Sequence, residues 1–281
     1  MVLPAPPAAP SGAGDDPVAR VQATAAAQSF VAGGTDILRG RGRSALDLLG
    51  LPVALAIICA LLFVWVGSQE LDSIEKRLLA TDQLVLAFSR HLVLAFVSTV
   101  LVILIAVPLG ILLTRPGARA ITPPVIAIAN MGQAIPSIGV LVLLALVWSI
   151  GFWPSIVALV AYSALPVLRN TMVGLQQVDA FVIEAGRGMG MTKRSVLRKI
   201  ELPLAVPVIL AGIRTALVIN VGTATLATFV NAGGLGDIIN GGLVTNRQTV
   251  TIVGSVLTAS LALFIDHLGG IAESRLSPKG I

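Results

Sequence analysis

Six apolar runs, spaced along most of the chain, limit its fold more than any other feature. They cover residues 51–67, 92–113, 124–150, 152–168, 203–230 and 249–265. A helix rises 1.5 Å per residue, so crossing ~30 Å of hydrocarbon takes about 20 residues. The runs at 51–67, 152–168 and 249–265 hold 17 residues each and sit at the short end of that range. The run at 124–150 holds 27 residues, with Pro136 inside it. Proline lacks a backbone donor and its ring clashes with the preceding turn, so a kink or break is expected at Ile135–Pro136. The expected fold class is all-α: a polytopic membrane protein with six transmembrane helices.

Composition agrees. The chain is 56% hydrophobic and 12% charged, against about 45–50% and about 25% for soluble domains. Its formal charge of +5 would admit a nucleic-acid partner, but the basic residues lie in short loops between apolar runs. That is a positive-inside pattern rather than a basic face, so no nucleic-acid partner is expected. With the N-terminus in the cytoplasm, the inner segments carry four, two, six and two Lys or Arg, and the outer ones three, none and one. The charges therefore predict an N-in, C-in topology. Trp65, Trp148 and Trp153 all fall at the outer ends of their helices under this topology. They suit an interfacial aromatic belt better than a cation-binding cage. His91 and His267 border apolar runs and read as interfacial residues. Cys59 is the single cysteine, so no internal disulfide can form. No spacing suggests a metal site.

Residues 1–50, rich in Ala, Pro and Gly, read as a disordered cytoplasmic tail without the features of a signal peptide. The remaining organisation is a first transmembrane helix at 51–67, a transmembrane domain at 86–266 and a cytoplasmic tail at 267–281. The loop at 178–203 stands out within it. Asp179 can cap one short helix and Thr192 a second. Gly188 and Gly190 permit the reversal between them. Val196, Leu197 and Ile200 form an apolar stripe beside Lys193, Arg194, Arg198 and Lys199. Pro203 then starts a new direction. An amphipathic element of this kind either lies on anionic lipid or docks a cytoplasmic protein.

The loop resembles the signature of ABC importer permeases: Glu-Ala-Ala, three residues, Gly, nine residues, Ile, one residue, Leu-Pro. Glu184, Ala185, Gly190, Ile200, Leu202 and Pro203 stand at those spacings, and Gly186 replaces the second alanine. The resemblance runs from about Phe88 to Ile265. Within the superfamily it is strongest to permeases for glycine betaine, choline and related osmoprotectants. It is carried by segments such as Gln133-Ala134-Ile135-Pro136-Ser137, Ala211-Gly212-Ile213-Arg214-Thr215-Ala216 and Gly222-Thr223-Ala224-Thr225-Leu226-Ala227. Methionine permeases share the loop but match these segments less well. The resemblance implies a type I permease core of five helices plus one N-terminal helix in a bacterial inner or plasma membrane. It implies that the 178–203 loop seats in a cleft of an ATPase. The implied partners are two copies of a cytoplasmic ATP-binding subunit, a second permease, identical or paralogous, and an extracytoplasmic substrate-binding protein.

Candidates for the transport path follow from cost. Arg214 lies eleven residues past Pro203, where an ionisable group faces an interior or a cavity: it reads as a structural arginine bonded to neighbouring carbonyls or snorkelling inward, or as a direct contact to substrate. Asn220, Thr223 and Thr225 can hydrate a path or bond across helices. Gln133, Pro136 and Ser137 surround the expected break, where irregular backbone is tolerated only beside protein or water. The glycine-rich stretch 231–242 is a further gate candidate. The chain has no Gly-Lys-Ser/Thr loop, so ATP and Mg are expected on a separate ATPase, with no cofactor bound here. No catalytic constellation is visible, and no enzyme activity is expected. No acidic residue falls well inside an apolar run, which argues against a secondary transporter.

Overall fold

The computed structural model describes residues 45–276, and every regular element among them is helical. Most of the 1–50 tail and the end of the 267–281 tail lie outside these residues. Helix α1 spans Ala45–Gly67, so it starts before the apolar run. A short helix α2, Ser73–Leu78, leads to α3, Thr81–Leu113, which begins earlier than 86 or 92. Helices α4 (Thr122–Ala134) and α5 (Ser137–Val147) precede α6, Phe152–Gln176. The loop forms α7 (Ala180–Gly188) and α8 (Lys193–Val196), then a π turn at Leu197–Glu201 into α9, Leu202–Ala224. A 3₁₀ segment at Thr225–Val230 follows. Helices α10 (Leu235–Val244) and α11 (Gln248–Leu276) complete the described chain.

Five helices are long and apolar enough to cross a membrane, and α4 with α5 makes a sixth only if counted as one broken span. The bend between those two is 96°, larger than a kink. Ile135 is extended at φ −80°, ψ 133°, because the residue before proline is pushed out of the helical region.

Helices α3, α6 and α9 form the centre, with Val102, Ala106, Val167, Leu168 and Ala216 buried together. Small residues bring these backbones close. A Cβ on Gly110 would lie 2.8 Å from Thr171, and one on Gly212 would lie 2.6 Å from Asn170. Association inside a bilayer depends on such packing, since lipid tails are as apolar as the helices. Helices α10 and α11 bury Leu235, Ile238 and Val250 against Ala95 and Val221.

One expectation needs correction. His91 is fully buried, not interfacial. Its Nε2 lies 2.9 Å from the Val221 carbonyl, and its Nδ1 accepts from the Leu235 N–H at 3.3 Å. A ring protonated at Nε2 satisfies both partners and ties α3 to α9 and α10. Helix α11 continues past the apolar run that ends at Ile265, and the first residue beyond it, Asp266, is paired with Arg214.

Candidate coupling loop and transport path

The 178–203 loop is built from its caps. The Asp179 carboxylate accepts the Phe181 N–H at 2.8 Å, and the Thr192 hydroxyl accepts the Ser195 N–H at 3.3 Å. Gly190 takes φ +84° at the reversal, whereas Gly188 does not adopt a positive φ. Only Gly190 therefore uses the conformational freedom of glycine there. Gly186 is buried, and a Cβ on it would lie 2.6 Å from Ile200 Cδ1. The glycine at this position lets α7 settle onto the helix that follows the turn. Val196 is fully buried in the same contact.

The stripe of Val196 and Ile200 thus packs inward against α7, and the face left free is on α7 itself. Phe181 and Met189 are 79% and 76% exposed. Glu184, Ala185 and Arg187 are exposed beside them. The outward apolar side of the element is therefore on α7 and not on the segment that carries Val196 and Ile200. Phe181 and Met189 carry no motif of their own, and only their hydrophobicity at a helix cap could have signalled them.

Pro203 does not start a new direction. Residues Lys193–Val230 form one continuous helical rod of 38 residues. Proline at the start of α9 is absorbed by the π turn, in which the Leu202 N–H reaches the Leu197 carbonyl. Beside that turn Glu201 is buried, and its carboxylate meets Arg115 at 2.7 Å. Arg115 also donates through Nε to the Ile111 carbonyl at 3.2 Å. The base of the loop is therefore locked to the end of α3. Charge counting had treated Arg115 only as a loop cation.

The path candidates separate into distinct settings. Arg214 donates through Nε and Nη2 to the two Asp266 carboxylate oxygens at 2.6 Å each, and its Nη1 lies 3.5 Å from Glu273. It bridges α9 and α11, and carboxylates rather than carbonyls hold it. Asn220 is fully buried, and its Nδ2 donates to Thr99 at 2.9 Å. It joins two helices and does not line an open surface. Thr225 donates to the Gly222 carbonyl at 2.7 Å where α9 tightens into the 3₁₀ segment. Thr223 is half-buried one residue before α9 ends.

Gln133 is explained by a proline on another helix. Pro166 within α6 has no N–H, so the Tyr162 carbonyl four residues earlier loses its helical partner. Gln133 Nε2 donates to that carbonyl at 3.1 Å. Asn130 accepts from Arg169 at 2.6 Å, and a Cβ on Gly132 would lie 2.9 Å from the Ala161 carbonyl. Helix α4 is thus zipped to α6 up to the break, and Pro136 and Ser137 stand just beyond it, exposed and half-exposed. At the far end of the rod Asn231 is left-handed at φ 56°, followed by Gly233 and Gly234 at positive φ. The Thr228 hydroxyl bonds the Asp237 carboxylate there. The 231–242 stretch is mostly helix α10, tied down at its start by His91.

Known proteins resemble this chain. The carnitine transport permease protein OpuCD of Listeria monocytogenes is 48% identical over 155 residues, 55% of this chain and 70% of that protein. The choline transport system permease protein OpuBB of Bacillus subtilis is 44% identical over 157 residues, 56% of this chain and 72% of that protein. The osmoprotectant import permease protein OsmY of Salmonella typhimurium is 42% identical over 235 residues, 83% of this chain and 97% of that protein. A solved inward-facing structure of the MetNI methionine ABC transporter superposes with a TM-score of 0.62 at 31% identity, covering 69% of this chain and 96% of that chain. Residues 106–278, more than half of the sequence, match the family described as binding-protein-dependent transport system inner membrane component, and the chain belongs to that family.

Proposed function

We propose that this chain is the membrane permease subunit of an ATP-driven importer of osmoprotectants, namely glycine betaine, choline, carnitine or a related quaternary ammonium compound. The observation that carries the substrate class is the set of relatives above 40% identity that bear these solutes in their names. Methionine is the weaker reading, because its transporter resembles this chain at 31% identity.

The proposed assembly has two ATP-binding subunits, a second permease identical or paralogous to this one, and an extracytoplasmic binding protein. ATP and Mg belong to the ATPase, and this chain holds no cofactor. We place it in a bacterial cell membrane with six spans, N-in and C-in, counting α4 and α5 as one broken span.

In this reading α7 is the coupling element. Phe181 and Met189 enter an apolar cleft of the ATPase, and Glu184 and Arg187 set their orientation. Gly186, Val196 and Ile200 seat α7 on the base of the rod, with Gly190 making the turn and Ala185 on the exposed side. Leu202 and Pro203 continue the rod, and the Arg115–Glu201 pair keeps its base on α3. A displacement of α7 then reaches Thr223 and Thr225, ~40–50 Å along a helix rising 1.5 Å per residue, without a joint to absorb it. The path runs past the Gln133–Ser137 break and the Thr223–Thr225 segment, while Arg214 and Asn220 hold its walls. A trimethylammonium group is recognised by aromatic faces or a carboxylate. Aromatic residues are only 4% of this chain, which leaves selection to the binding protein.

The test is uptake of radiolabelled betaine, choline and carnitine in cells expressing the chain with its ATPase and binding protein. ATP-dependent uptake of at least one, lost on Phe181→Asp with the protein still in the membrane, is expected. Uptake of methionine alone would overturn the substrate, and full uptake by Phe181→Asp would overturn the coupling role.

A further inference from the structure

Helix α1 crosses the membrane by length but is barely covered by the rest of the chain. Only 11% of its most apolar window is buried. Between α1 and the core lies a cavity of about 490 Å³, walled by Phe63 and Val66 of α1, Leu84 and Phe88 of α3, and Leu257 of α11. A second cavity of about 230 Å³ shares Phe88 and Leu257 with the first and extends to Leu55 and Cys59. The walls are apolar, apart chiefly from Lys76 of α2 at one end. No salt bridge engages Lys76 among the described residues.

Water does not fill so apolar a space, since it finds no polar partners there. An empty gap of this size between two membrane helices forfeits packing along both walls. What surrounds it is hydrocarbon. The cleft follows α1 from Val66 to Pro52, fourteen residues or ~21 Å. One leaflet contributes ~15 Å of hydrocarbon. The cleft is therefore deep enough to take one acyl chain along its whole length, and a cation marks its headgroup end.

We infer that this cleft is a phospholipid site: one acyl chain lies between α1 and the α3–α11 face, and the lipid phosphate meets the Lys76 ammonium. The lysine stem lies along the apolar wall and its charge reaches the headgroup layer. The bound chain supplies the packing that α1 lacks, so lipid holds this helix to the core. The inference needs only that α1, α3 and α11 span the bilayer, and it is independent of the solute carried.

The test uses the full chain in nanodiscs containing phosphatidylglycerol with a photoreactive group on one acyl chain. Labelling at Phe63, Phe88 and Leu257 is expected to exceed labelling at Phe96, which is 66% exposed and serves as the reference for ordinary surrounding lipid. Val85→Trp, from an exposed wall position, should fill the cleft and abolish the excess. Phe63→Trp tests the same point from the opposite wall. Lys76→Glu should lower cleft labelling about fivefold, and Lys76→Arg should restore it. Excess inorganic phosphate should leave labelling unchanged, which separates a lipid headgroup from a free anion. Cleft labelling no stronger than at Phe96, or unaffected by both tryptophans, overturns the site. Equal labelling of Lys76→Glu and the parent chain overturns the phosphate contact.

Discussion

Gly186 shows how much a single position in this loop decides. Its missing Cβ would lie 2.6 Å from Ile200 Cδ1, the tip of a side chain that can rotate. Alanine there should be tolerated, because a small shift of Ile200 is set against about 1 kcal/mol of helix propensity gained over glycine. A side chain the size of leucine has nowhere to go and would lift α7 off the base of the rod. Gly186→Ala is therefore expected to keep parental uptake, and Gly186→Leu to lose most of it while still reaching the membrane. Uptake by Gly186→Leu at the parental rate would show that the seating of α7 is unimportant. The residue types of this contact were readable from spacing. Its direction was not, because periodicity gives Val196 and Ile200 a common face without saying whether that face turns toward α7 or outward. The same holds for Glu201 and Arg115, which are 86 positions apart and paired only by the fold.

At the scale of elements, prolines set the shape and distant side chains make it tolerable. The break at Pro136 was visible in the sequence, since one residue type lacks the donor a helix needs. Its 96° angle was not, because that depends on α4 being zipped to α6 by Asn130, Gly132 and Gln133. Gln133→Ala leaves the Tyr162 carbonyl without a partner, an expected loss of about 1–2 kcal/mol. Thermal unfolding of the detergent-solubilised chain should show a lower Tm, and Gln133→Glu, which keeps the length but not the donor, should not rescue it. An unchanged Tm for both would remove Gln133 from the zipper. Helix α2 offers a second case. The Asp72 carboxylate accepts the Ile74 and Glu75 amides at 2.9 and 2.8 Å and meets Arg247 at 2.6 Å. The Glu75 amide, with the Arg247 guanidinium, holds its pKa below the ordinary aspartate value. A depressed pKa means stability that is fully present above the unfolded aspartate's pKa and is lost as pH falls through the folded one. Hydrogen exchange at Ile74 and Glu75, corrected for the intrinsic pH effect, should therefore accelerate only at the acid end. In Asp72→Asn that acid-dependent step should disappear, and a step that persists would assign it to another group.

Among the described residues the longest helical run is Lys193–Val230, 38 residues. At ~1.5 Å per residue it is ~57 Å, longer than the ~30 Å of hydrocarbon it crosses. Part of it therefore stands in water, together with α7 and the basic residues Lys193, Arg194, Arg198 and Lys199. Apolar length alone marks these helices as spans, and lysine and arginine bias predicts their orientation. Apolar length does not depend on tertiary contacts, which is why the long helices were readable from the chain. The loose seat of α1 and the buried His91 were not, since each reflects what neighbouring helices leave open or enclose. If orientation follows the charges, α7 and the described start of α1 share the cytoplasmic side, and α2 lies opposite. In a Cys59→Ser background, a cysteine at Met189 should react with a membrane-impermeant maleimide only after the cells are opened. A cysteine at Gln69, exposed in the link before α2, should react in intact cells. The reverse result would invert the topology and put α7 where no ATPase can reach it. Reaction of both in intact cells would place the two on one side, which needs an even number of crossings between them, as when α4 and α5 enter and return while α3 and α6 cross. The single broken span α4–α5 is where the count of crossings can differ by one, so a third cysteine at Trp148 completes the test. It should label from outside if α4 and α5 together cross the bilayer, and from inside if they enter and return.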